Sequence, residues 1–275
     1  IFGKAFFRAS SPERIIIGSY KNKLSRKYKN FLKLFKCPLI NMKYESAEFS
    51  KIAINILLSS SINTSNNLAR ICETIDADWE EIKPSLQLDQ RIGKYAYLKP
   101  GLGISGLNLI RDINTCINLS KNSKHEKKYL ANLIDYSDFS REWALKKLNF
   151  IIKKFKYKQL KLTLLGLTYK ENTNSIKNSA AIDLIKKIKK HKIKVYDPLV
   201  KLIRNIKNIT YANNLNNAIK NTDILLILTP WKQFSKISKD FLYNNISKKI
   251  VIDPYNVLGK EINSKKIKHY IIGKK

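Results

Sequence analysis

The first half of the chain has the apolar spacing of a helical protein. Between about Glu45 and Ile75, apolar residues recur about every 3.6 positions, which predicts one long amphipathic helix. Similar spacing predicts helices over about 109–120 and 127–155. A helix of about 30 residues is long for a globular protein, so we expect it to link two domains or to form a dimer interface. The apolar positions on its predicted face are Ile54, Leu58, Ile62, Ala69, Cys72 and Ile75.

Shorter elements flank the long helix. Residues 11–17 predict a turn followed by a buried strand, a basic helical stretch comes next, and residues 38–42 are extended. After the long helix, Asp76 or Asp78 is expected to cap a short helix. Pro84 is expected to interrupt that helix, because proline lacks the backbone donor that a helix interior needs.

A different pattern begins near Leu160, where short apolar runs alternate with helical segments. This alternation predicts a parallel, doubly wound sheet, so the chain as a whole is predicted to be an α/β protein with a helical middle. The runs are LKLTLLGL, KIKVYDP, DILLILT, KKIVIDPY and, as a fifth candidate, HYIIG. The helices between them are predicted at 180–191 and in NNLNNAIKNT.

Ligands of a doubly wound sheet bind at the carboxyl ends of its strands. In this chain those ends carry glycine, hydroxyl, aromatic and acidic residues. The segments are Gly166–Lys170, Asp197, Thr229–Trp231 and Asp253–Asn256. The first strand of this sheet is followed by Gly166 but not by a G-x-G-x-x-G sequence, so the residues indicate a nucleotide-capable domain without a dinucleotide fingerprint.

The composition is that of a globular protein. The length of 275 residues suggests about two domains, and a hydrophobic content of 44% suits a chain with a core. No apolar run approaches the roughly 18 residues of a membrane span. The sparse cysteines without a CxxC pair are expected to be reduced, buried or half-buried thiols, and the histidines are expected at the surface, with no metal site. These residues are Cys37, Cys72, Cys116, His125, His191 and His269.

The formal net charge of +32 would ordinarily suggest a nucleic acid or an anionic surface as partner. The lysines, however, are spread along the whole chain, and no nucleic-acid-binding motif accompanies them. We therefore expect solvated helix faces, neither a nucleic-acid nor a membrane partner, and an attraction for anionic small substrates.

Several segments resemble, in order, the nucleotide-sugar 6-dehydrogenases of the UDP-glucose/GDP-mannose dehydrogenase family. GKAFFRASSPERIIIG resembles the end of their NAD-binding domain, AEFSKIAINILLSSSINTSNNLARICETIDAD their central helix, and DQRIGKYAYLKPGLGISGLNLIRD their active-site loop. LLGLTYKENTNSIKNS, VYDP, DILLILTPWKQF and VIDPYN resemble their nucleotide-sugar-binding domain. The resemblance implies three domains, at 1–42, 43–156 and 157–275. Because the chain begins at Ile1, we expect a fragment that lacks most of the N-terminal NAD-binding domain.

The resemblance also implies a chemistry. In this family the C6 hydroxyl of a UDP- or GDP-linked sugar is oxidised twice by hydride transfer to NAD, and a cysteine thiolate traps the intermediate aldehyde before the second oxidation. It further implies a cytoplasmic homodimer that serves polysaccharide biosynthesis.

The cysteine of the family's loop is replaced by Asn108. An amide cannot form a thioester, and Cys116 lies eight residues further on, so the second oxidation is doubtful. Ser61 stands where the family has a lysine that assists the chemistry, Asn67 replaces a glutamate, and the glutamate of an E-G pair would fall at Phe2.

Other positions match the family's site residues. Asn55 matches a sugar-contacting asparagine, and Asp112 an aspartate beside the catalytic centre, so that the candidate catalytic residues are Asn108, Asp112, Asn55 and Ser61. Arg91 matches an arginine that reaches the nucleotide sugar across the dimer. The candidate substrate-binding residues are Arg91, Tyr97, Gly101, Gly103, Gly106 and Lys170. Lys177 is the candidate cofactor-binding residue, in place of an arginine near NAD.

Purely structural explanations stay open at this stage. Arg91 and Lys170 are explained equally as surface cations, the glycines as turn residues, and Asn108 as the N-cap of the following helix. Three functions also stay open: an oxidoreductase that stops after one hydride transfer, a non-catalytic nucleotide-sugar-binding or dimerisation paralogue, and a basic α/β protein with an unrelated partner such as a nucleic acid.

Overall fold

The computed structural model describes residues 5–202, 209–259, 262 and 266–275, so Phe2 lies outside the described residues. The chain forms two compact units, 1–58 and 59–275. Across the described residues, no helix is both long and apolar enough to cross a bilayer.

The first unit contains a small parallel pair of strands. Helix α1 (Ala5–Ser10) precedes strand β1 (Ile15–Gly18), and helix α2 (Arg26–Lys33) precedes strand β2 (Leu39–Met42). The two strands pair in parallel, with Ile15 opposite Leu39. The predicted order of elements is confirmed, although β1 is half-buried instead of buried.

Five helices follow. They are α3 (Tyr44–Ile75), α4 (Trp79–Leu88), α5 (Asn108–Leu119), α6 (Lys124–Arg141) and α7 (Trp143–Phe155). The long helix is confirmed, and it begins in the first unit and ends in the second. The predicted single helix over 127–155 is wrong, because the chain turns at Glu142 and begins a new helix there.

Helix α4 begins as expected and continues further than expected. The carboxylate of Asp78 accepts a hydrogen bond from the Glu80 amide at 2.9 Å, so Asp78 is the N-cap. Pro84 lies inside the helix and does not interrupt it. As the sixth residue of the helix, the proline removes one backbone bond, the one to the Glu80 carbonyl, and the helix nevertheless continues to Leu88.

The predicted apolar face of α3 is confirmed only in part: Ala69 and Cys72 are buried as expected, but polar residues share the buried face. Within the second unit, the buried residues of this helix include four polar side chains, whereas Ile75 is exposed. The polar residues are Ser59, Asn63, Ser65 and Asn66. Asn63, Ser65 and Asn66 bond to backbone groups of neighbouring segments, which makes their burial possible; for example, Asn63 Nδ2 donates to the Leu133 carbonyl at 2.7 Å.

The remaining elements build a six-stranded sheet. In chain order they are β3 (Lys161–Leu165), α8 (Ala180–Lys187), β4 (Lys192–Tyr196), β5 (Ile209–Tyr211), α9 (Leu215–Ile219), β6 (Thr222–Ile227), α10 (Lys239–Asn245), β7 (Ile246–Ile252) and β8 (Lys268–Tyr270). The strand order is β5-β4-β3-β6-β7-β8, and all described pairs are parallel. This is the doubly wound order of a Rossmann-like sheet, so that prediction is confirmed; β5 and α10 had not been predicted.

Both faces of the sheet are covered, as a parallel sheet requires. Leu164 and Leu226 point to one side, where they pack with Leu148 of α7 and Ile185 of α8. The residues adjacent to them in each strand point to the other side. There Leu165 and Leu225 belong to a second cluster with Ile219 and Phe234. This packing fixes the carboxyl ends of the strands as one rigid edge.

Two of the three histidines are buried, contrary to the expected surface positions. His191 is 5% exposed, and its Nδ1 accepts the Leu160 amide at 3.3 Å. His269 places its ring 3.2 Å from the carboxylate of Asp253, with both side chains almost fully buried. His125 is exposed as predicted. The lysines on either side of His191 suggested an exposed position. The imidazole is buried because it directly precedes strand β4 at the start of the sheet.

Candidate functional site

A loop over residues 97–107 joins α4 to α5 and is held from several sides. Ser65 and Asn66 of α3 bond its first half: the Ser65 hydroxyl donates to the Tyr97 carbonyl at 2.9 Å, and the Gly101 amide donates to Asn66 Oδ1 at 2.7 Å. Further along, the Ile104 amide donates to the Ser137 hydroxyl at 2.7 Å. The loop is therefore a fixed part of the fold.

The three glycines of this loop are required by close contacts. A Cβ on Gly101 would lie 2.5 Å from the Tyr255 ring, and one on Gly103 would lie 2.4 Å from the Ser137 carbonyl oxygen. Gly106, which has a positive φ like Gly103, lies against Tyr169. Side chains of the protein itself approach these glycines, so they are more than simple turn residues. Their contact with a sugar stays a prediction.

Asn108 begins helix α5 at the end of this loop. The N-cap of α5 is Leu107, and no side chain caps the helix, so the interpretation of Asn108 as an N-cap is wrong. Asn108 is exposed at the first helical position. The first amides of a helix carry partial positive charge, so this helix start favours negative charge nearby. The amide side chain of Asn108 can donate and accept hydrogen bonds there.

Asp112 lies one helical turn after Asn108 and is buried. Nε and NH2 of Arg111 both lie 3.0 Å from Asp112 Oδ1. Cys116 is a further turn away and also buried, and burial, with a smaller contribution from Asp112, raises the pKa of its thiol. A buried, protonated thiol is a poor nucleophile, so Cys116 does not replace the missing one.

Lys170 is brought to the same region by the segment after β3. Tyr169 packs against Gly106, and the Lys170 Nζ lies 5.4 Å from the centre of the Tyr169 ring. The structure thus places an exposed lysine close to the loop that ends at Asn108. Lys177 is exposed on the same segment, where its amide donates to the Ser175 hydroxyl at 3.4 Å.

A clamp centred on Arg141 holds these two segments together. Arg141 NH1 donates to the carbonyls of Ile104 and Asn178, at 3.0 and 3.2 Å, and NH2 lies 2.5 Å from the Asp183 carboxylate. Asn178 Nδ2 in turn donates to the Gly106 carbonyl at 2.9 Å. The sequence patterns had not indicated Arg141. We name these three residues, Arg141, Asn178 and Asp183, the loop clamp.

Asp197 organises the carboxyl ends of the central strands. One oxygen accepts the Leu167 amide at 2.8 Å and the Trp231 indole N–H at 3.2 Å. The other accepts the amides of Leu199 and Val200, at 2.9 and 3.1 Å. The turn after β3 therefore has its amides satisfied by a carboxylate of the protein, at the place where a dinucleotide-binding sheet would present them to a pyrophosphate.

A cavity of about 260 Å³ adjoins the loop near Gly101. Its walls include Lys83, Lys99, Tyr255 and Asn256. Within the described part of the chain, Asn256 Oδ1 is buried without a hydrogen-bond partner. Sequence reasoning noted Asn256 at a strand end but missed Lys83 and Lys99, because ordinary spacing does not distinguish them from the many other lysines.

The other predicted residues lie elsewhere. Asn55 is half-buried on α3 in the first unit, and Ser61 is half-buried on the same helix in the second. The Arg91 side chain is 90% exposed and bonds both oxygens of Asp89, at 3.0 and 2.7 Å. Tyr97 is about half exposed.

Comparisons with known proteins identify the family. The central domain of the UDP-glucose/GDP-mannose dehydrogenase family matches residues 45–138, and the UDP-binding domain of the same family matches residues 163–260. The two matches together cover more than half of the chain, which therefore belongs to the UDP-glucose/GDP-mannose dehydrogenase family. The resemblance seen in the sequence is confirmed.

Individual relatives agree. The chain is 27% identical over 264 residues to the UDP-glucose 6-dehydrogenase TuaD of Bacillus subtilis, covering 94% of this chain and 57% of that protein. It is 30% identical over 278 residues to the UDP-glucose 6-dehydrogenase of Rickettsia felis, covering 96% of this chain and 61% of that protein. The chain thus spans about three-fifths of the length of these relatives.

Solved structures show the same fold. A UDP-glucose dehydrogenase from Pyrobaculum islandicum superposes with a TM-score of 0.80 at 20% identity, over 98% of this chain and 61% of that one. A UDP-D-ManNAc dehydrogenase from Pyrococcus horikoshii superposes with a TM-score of 0.78 at 20% identity, over 98% and 62% of the two chains. The predicted fold class is confirmed.

Proposed function

We propose that this protein takes part in the NAD-dependent oxidation of the C6 hydroxyl of a nucleotide sugar, and that the oxidation stops at the aldehyde. The observation that carries the proposal is the exposed Asn108 at the start of α5, at the position that the family resemblance assigns to a cysteine. The first oxidation, of an alcohol to an aldehyde, needs no thiol. The second passes through a thioester, and an amide side chain cannot form one.

Binding of an anionic substrate is supported by the charges around this position. The uncapped start of α5 carries partial positive charge, and Lys170 lies beside the adjoining loop. A nucleotide sugar carries a negatively charged diphosphate. We propose that Lys170 and the helix start bind its anionic part and that Asn108 orients a sugar hydroxyl or a water.

We further propose that the cavity beside Gly101 holds another polar part of the same ligand. Lys83 and Lys99 offer positive charge at its walls, although Lys83 is already paired with Glu80 at 2.7 Å. Asn256 Oδ1 is a buried acceptor that a ligand N–H or O–H group would satisfy.

The strand ends of the six-stranded sheet do not fit NAD. The G-x-G-x-x-G sequence formed by Gly101, Gly103 and Gly106 lies in the loop between α4 and α5, where no strand precedes it, and the amides of the turn after β3 are bonded to Asp197. The strand ends of this sheet are therefore assigned no part in binding the cofactor. The role of Lys177 near NAD stays a prediction that depends on residues beyond this sheet.

The proposal includes a homodimer. Leu68, Ile71 and Ile75 are exposed on α3 at spacings of three and four residues, which is the pattern of a helix-to-helix interface. The exposed Arg91 is suited to reach a site on a second copy, as the family resemblance implies. Sedimentation of the chain checks the dimer, and Ile71→Lys is expected to produce monomers.

The main test is titration calorimetry with UDP-glucose, UDP-N-acetyl sugars and GDP-mannose, followed by measurement of NADH with the full-length protein. One NADH per sugar supports an enzyme that stops at the aldehyde. Binding without NADH supports the non-catalytic paralogue, which the loss of the family's cysteine also favours. Two NADH per sugar would contradict the role given to Asn108, and no binding of any nucleotide sugar would contradict the whole proposal.

A further inference from the structure

The edge of the sheet opposite the ligand edge carries a dense cluster of lysines. Four short segments lie there: three end at the first residues of β3, β4 and β8, and the fourth is formed by the third and fourth residues of β7. Ten of their fifteen residues are lysine, and none is Asp or Glu. The segments, which we name the basic edge, are 156–161, 189–192, 248–249 and 266–268.

Contacts show that the segments are neighbours in space. Lys161 pairs with Lys192 in the register of β3 and β4, and the Lys192 amide donates to the Leu160 carbonyl at 2.9 Å. Lys248 Nζ lies 5.0 Å from the centre of the Tyr157 ring, and Lys268 Nζ lies 4.7 Å from that of Phe155. Lysines that are far apart in the sequence therefore form one surface.

This positive charge has little compensation within the protein. Among the described residues, no carboxylate forms an ion pair with a lysine of the basic edge. Asp223 is present there, but it accepts bonds from the Lys161 amide at 2.7 Å and from the Ser247 hydroxyl at 2.5 Å. The nearby Lys161 also contributes, after burial, to lowering the pKa of Lys194. Repulsion of this kind is relieved when an external anion binds.

We propose that the basic edge docks on an anionic phospholipid surface. All cations of the four segments are lysines, which act as hydrated point charges and attract lipid phosphates without needing a fixed geometry. Docking at this edge leaves the carboxyl ends of the strands, on the opposite side, open to substrate. The inference is independent of the proposed function.

The aromatic residues of this surface favour a lipid over a single-stranded nucleic acid. Phe155 and Tyr157 stack on each other, with ring centres 5.7 Å apart, and lysines lie over both rings. Their faces are already occupied, whereas single-strand binding depends on aromatic rings that bases can stack on.

Co-sedimentation with vesicles tests the proposal. The chain should bind vesicles of phosphatidylglycerol mixed with phosphatidylcholine at low salt, and neither pure phosphatidylcholine nor the mixed vesicles at high salt. The triple variant Lys158→Glu, Lys190→Glu, Lys248→Glu should weaken binding by about a hundredfold or more, since each lysine near an anionic surface contributes several-fold.

A matched control separates the edge from net charge. Lys121→Glu, Lys124→Glu, Lys128→Glu makes the same charge change at the start of α6, and it should leave vesicle binding within about twofold. Circular dichroism confirms that both variants fold. An equal loss of vesicle binding in the two triple variants, or no vesicle binding by the unaltered chain, would overturn the proposal. So would tighter, edge-dependent binding of DNA or RNA, which would assign the surface to nucleic acid.

Discussion

At the scale of single residues, Asn108 combines exposure with a helix start, and that combination would activate a thiol. A cysteine at the first turn of a helix has a lowered pKa, because the partial positive charge there stabilises the thiolate. Cys72 and Cys116 are buried, and burial raises the pKa of both thiols. The reactivity of a thiol in this chain is therefore determined by its position in the fold.

The variant Asn108→Cys tests this reasoning without the cofactor. We expect a new thiol that reacts with a disulfide reagent at least about tenfold faster than Cys72 and Cys116, because it is exposed and ionises more readily. Bound nucleotide sugar should slow the reaction. The unaltered chain, in which the half-buried Cys37 provides the reference rate, is the control. A new thiol as slow as the buried pair would contradict the exposed position of residue 108.

Gly103 provides a second test at this scale. We expect Gly103→Ala to lower the free energy of unfolding by about 3 kcal/mol, since it adds a clash with Ser137 to the strain of a positive φ. Urea unfolding measures the change.

Gly93 is the matched control for that test. It also has a positive φ, but nothing lies within 4 Å of the place its Cβ would take. Gly93→Ala should cost only about 1 kcal/mol. Equal losses at the two positions would show that conformational strain, and not the contact with Ser137, requires the glycine.

At the scale of elements, the loop clamp sets the distance between the 97–107 loop and the segment that carries Lys170. Arg141 is the last residue of α6, and its guanidinium bonds two carbonyls and a carboxylate. Such a fork cannot be reproduced by the single nitrogen of a lysine. The turn at Glu142 that ends α6 allows this side chain to point between the two segments.

Replacing the clamp should loosen the loop. We expect Arg141→Met to lower the free energy of unfolding by about 2–4 kcal/mol, since the carbonyls of Ile104 and Asn178 lose their donor. Hydrogen exchange of the Ile104 amide should accelerate. Arg141→Lys should recover only part of the stability. A variant that keeps its stability but shows fast exchange at Ile104 would still support the clamp, whereas unchanged exchange would contradict it.

At the scale of the whole molecule, stability should depend on pH through His191. Burial, and next the charge of Lys190, lowers the pKa of this imidazole below its usual value of 6.5. The unfolded chain therefore binds a proton at a higher pH than the folded one does. Stability from this group is complete above about pH 6.5 and is lost as the pH falls towards the lower, folded pKa.

The variant His191→Gln should remove this part of the pH dependence. Thermal melts between about pH 7.5 and pH 5 should show a flatter profile in the variant than in the unaltered chain. His125→Gln, at an exposed position, is the control and should leave the profile unchanged. If the melting temperatures of both variants fall with pH as steeply as that of the unaltered chain, His191 is not the group responsible.

The last residues of the chain contact helices that lie about 200 residues earlier in the sequence. Gly273, near the last residue, accepts the Trp79 amide at 2.9 Å with its carbonyl, and its own amide donates to Glu73 at 3.3 Å. Lys274 Nζ lies 2.9 Å from the Asp78 carboxylate. The final residues thus connect the sheet to the helical region. The spacing of residues along the chain does not predict this contact.

The sequence by itself determined the family, most of the order of elements and the sheet class. Runs such as Ile224–Leu228, apolar at every position, are typical of parallel strands buried on both faces, and the loop around Gly103 and Asn108 is recognisable because its residue types are constrained by local backbone geometry. These features depend on neighbours in the chain, so a linear pattern carries them.

Only the tertiary structure decided which residues meet across long separations. It buried the polar face of α3, buried His191, joined Arg141 to Asp183, and collected dispersed lysines at one edge. Spacing along a helix or strand shows which face is apolar. It does not show when a hydrogen-bond partner from a distant element makes a polar face the buried one, because that partner is supplied by the fold.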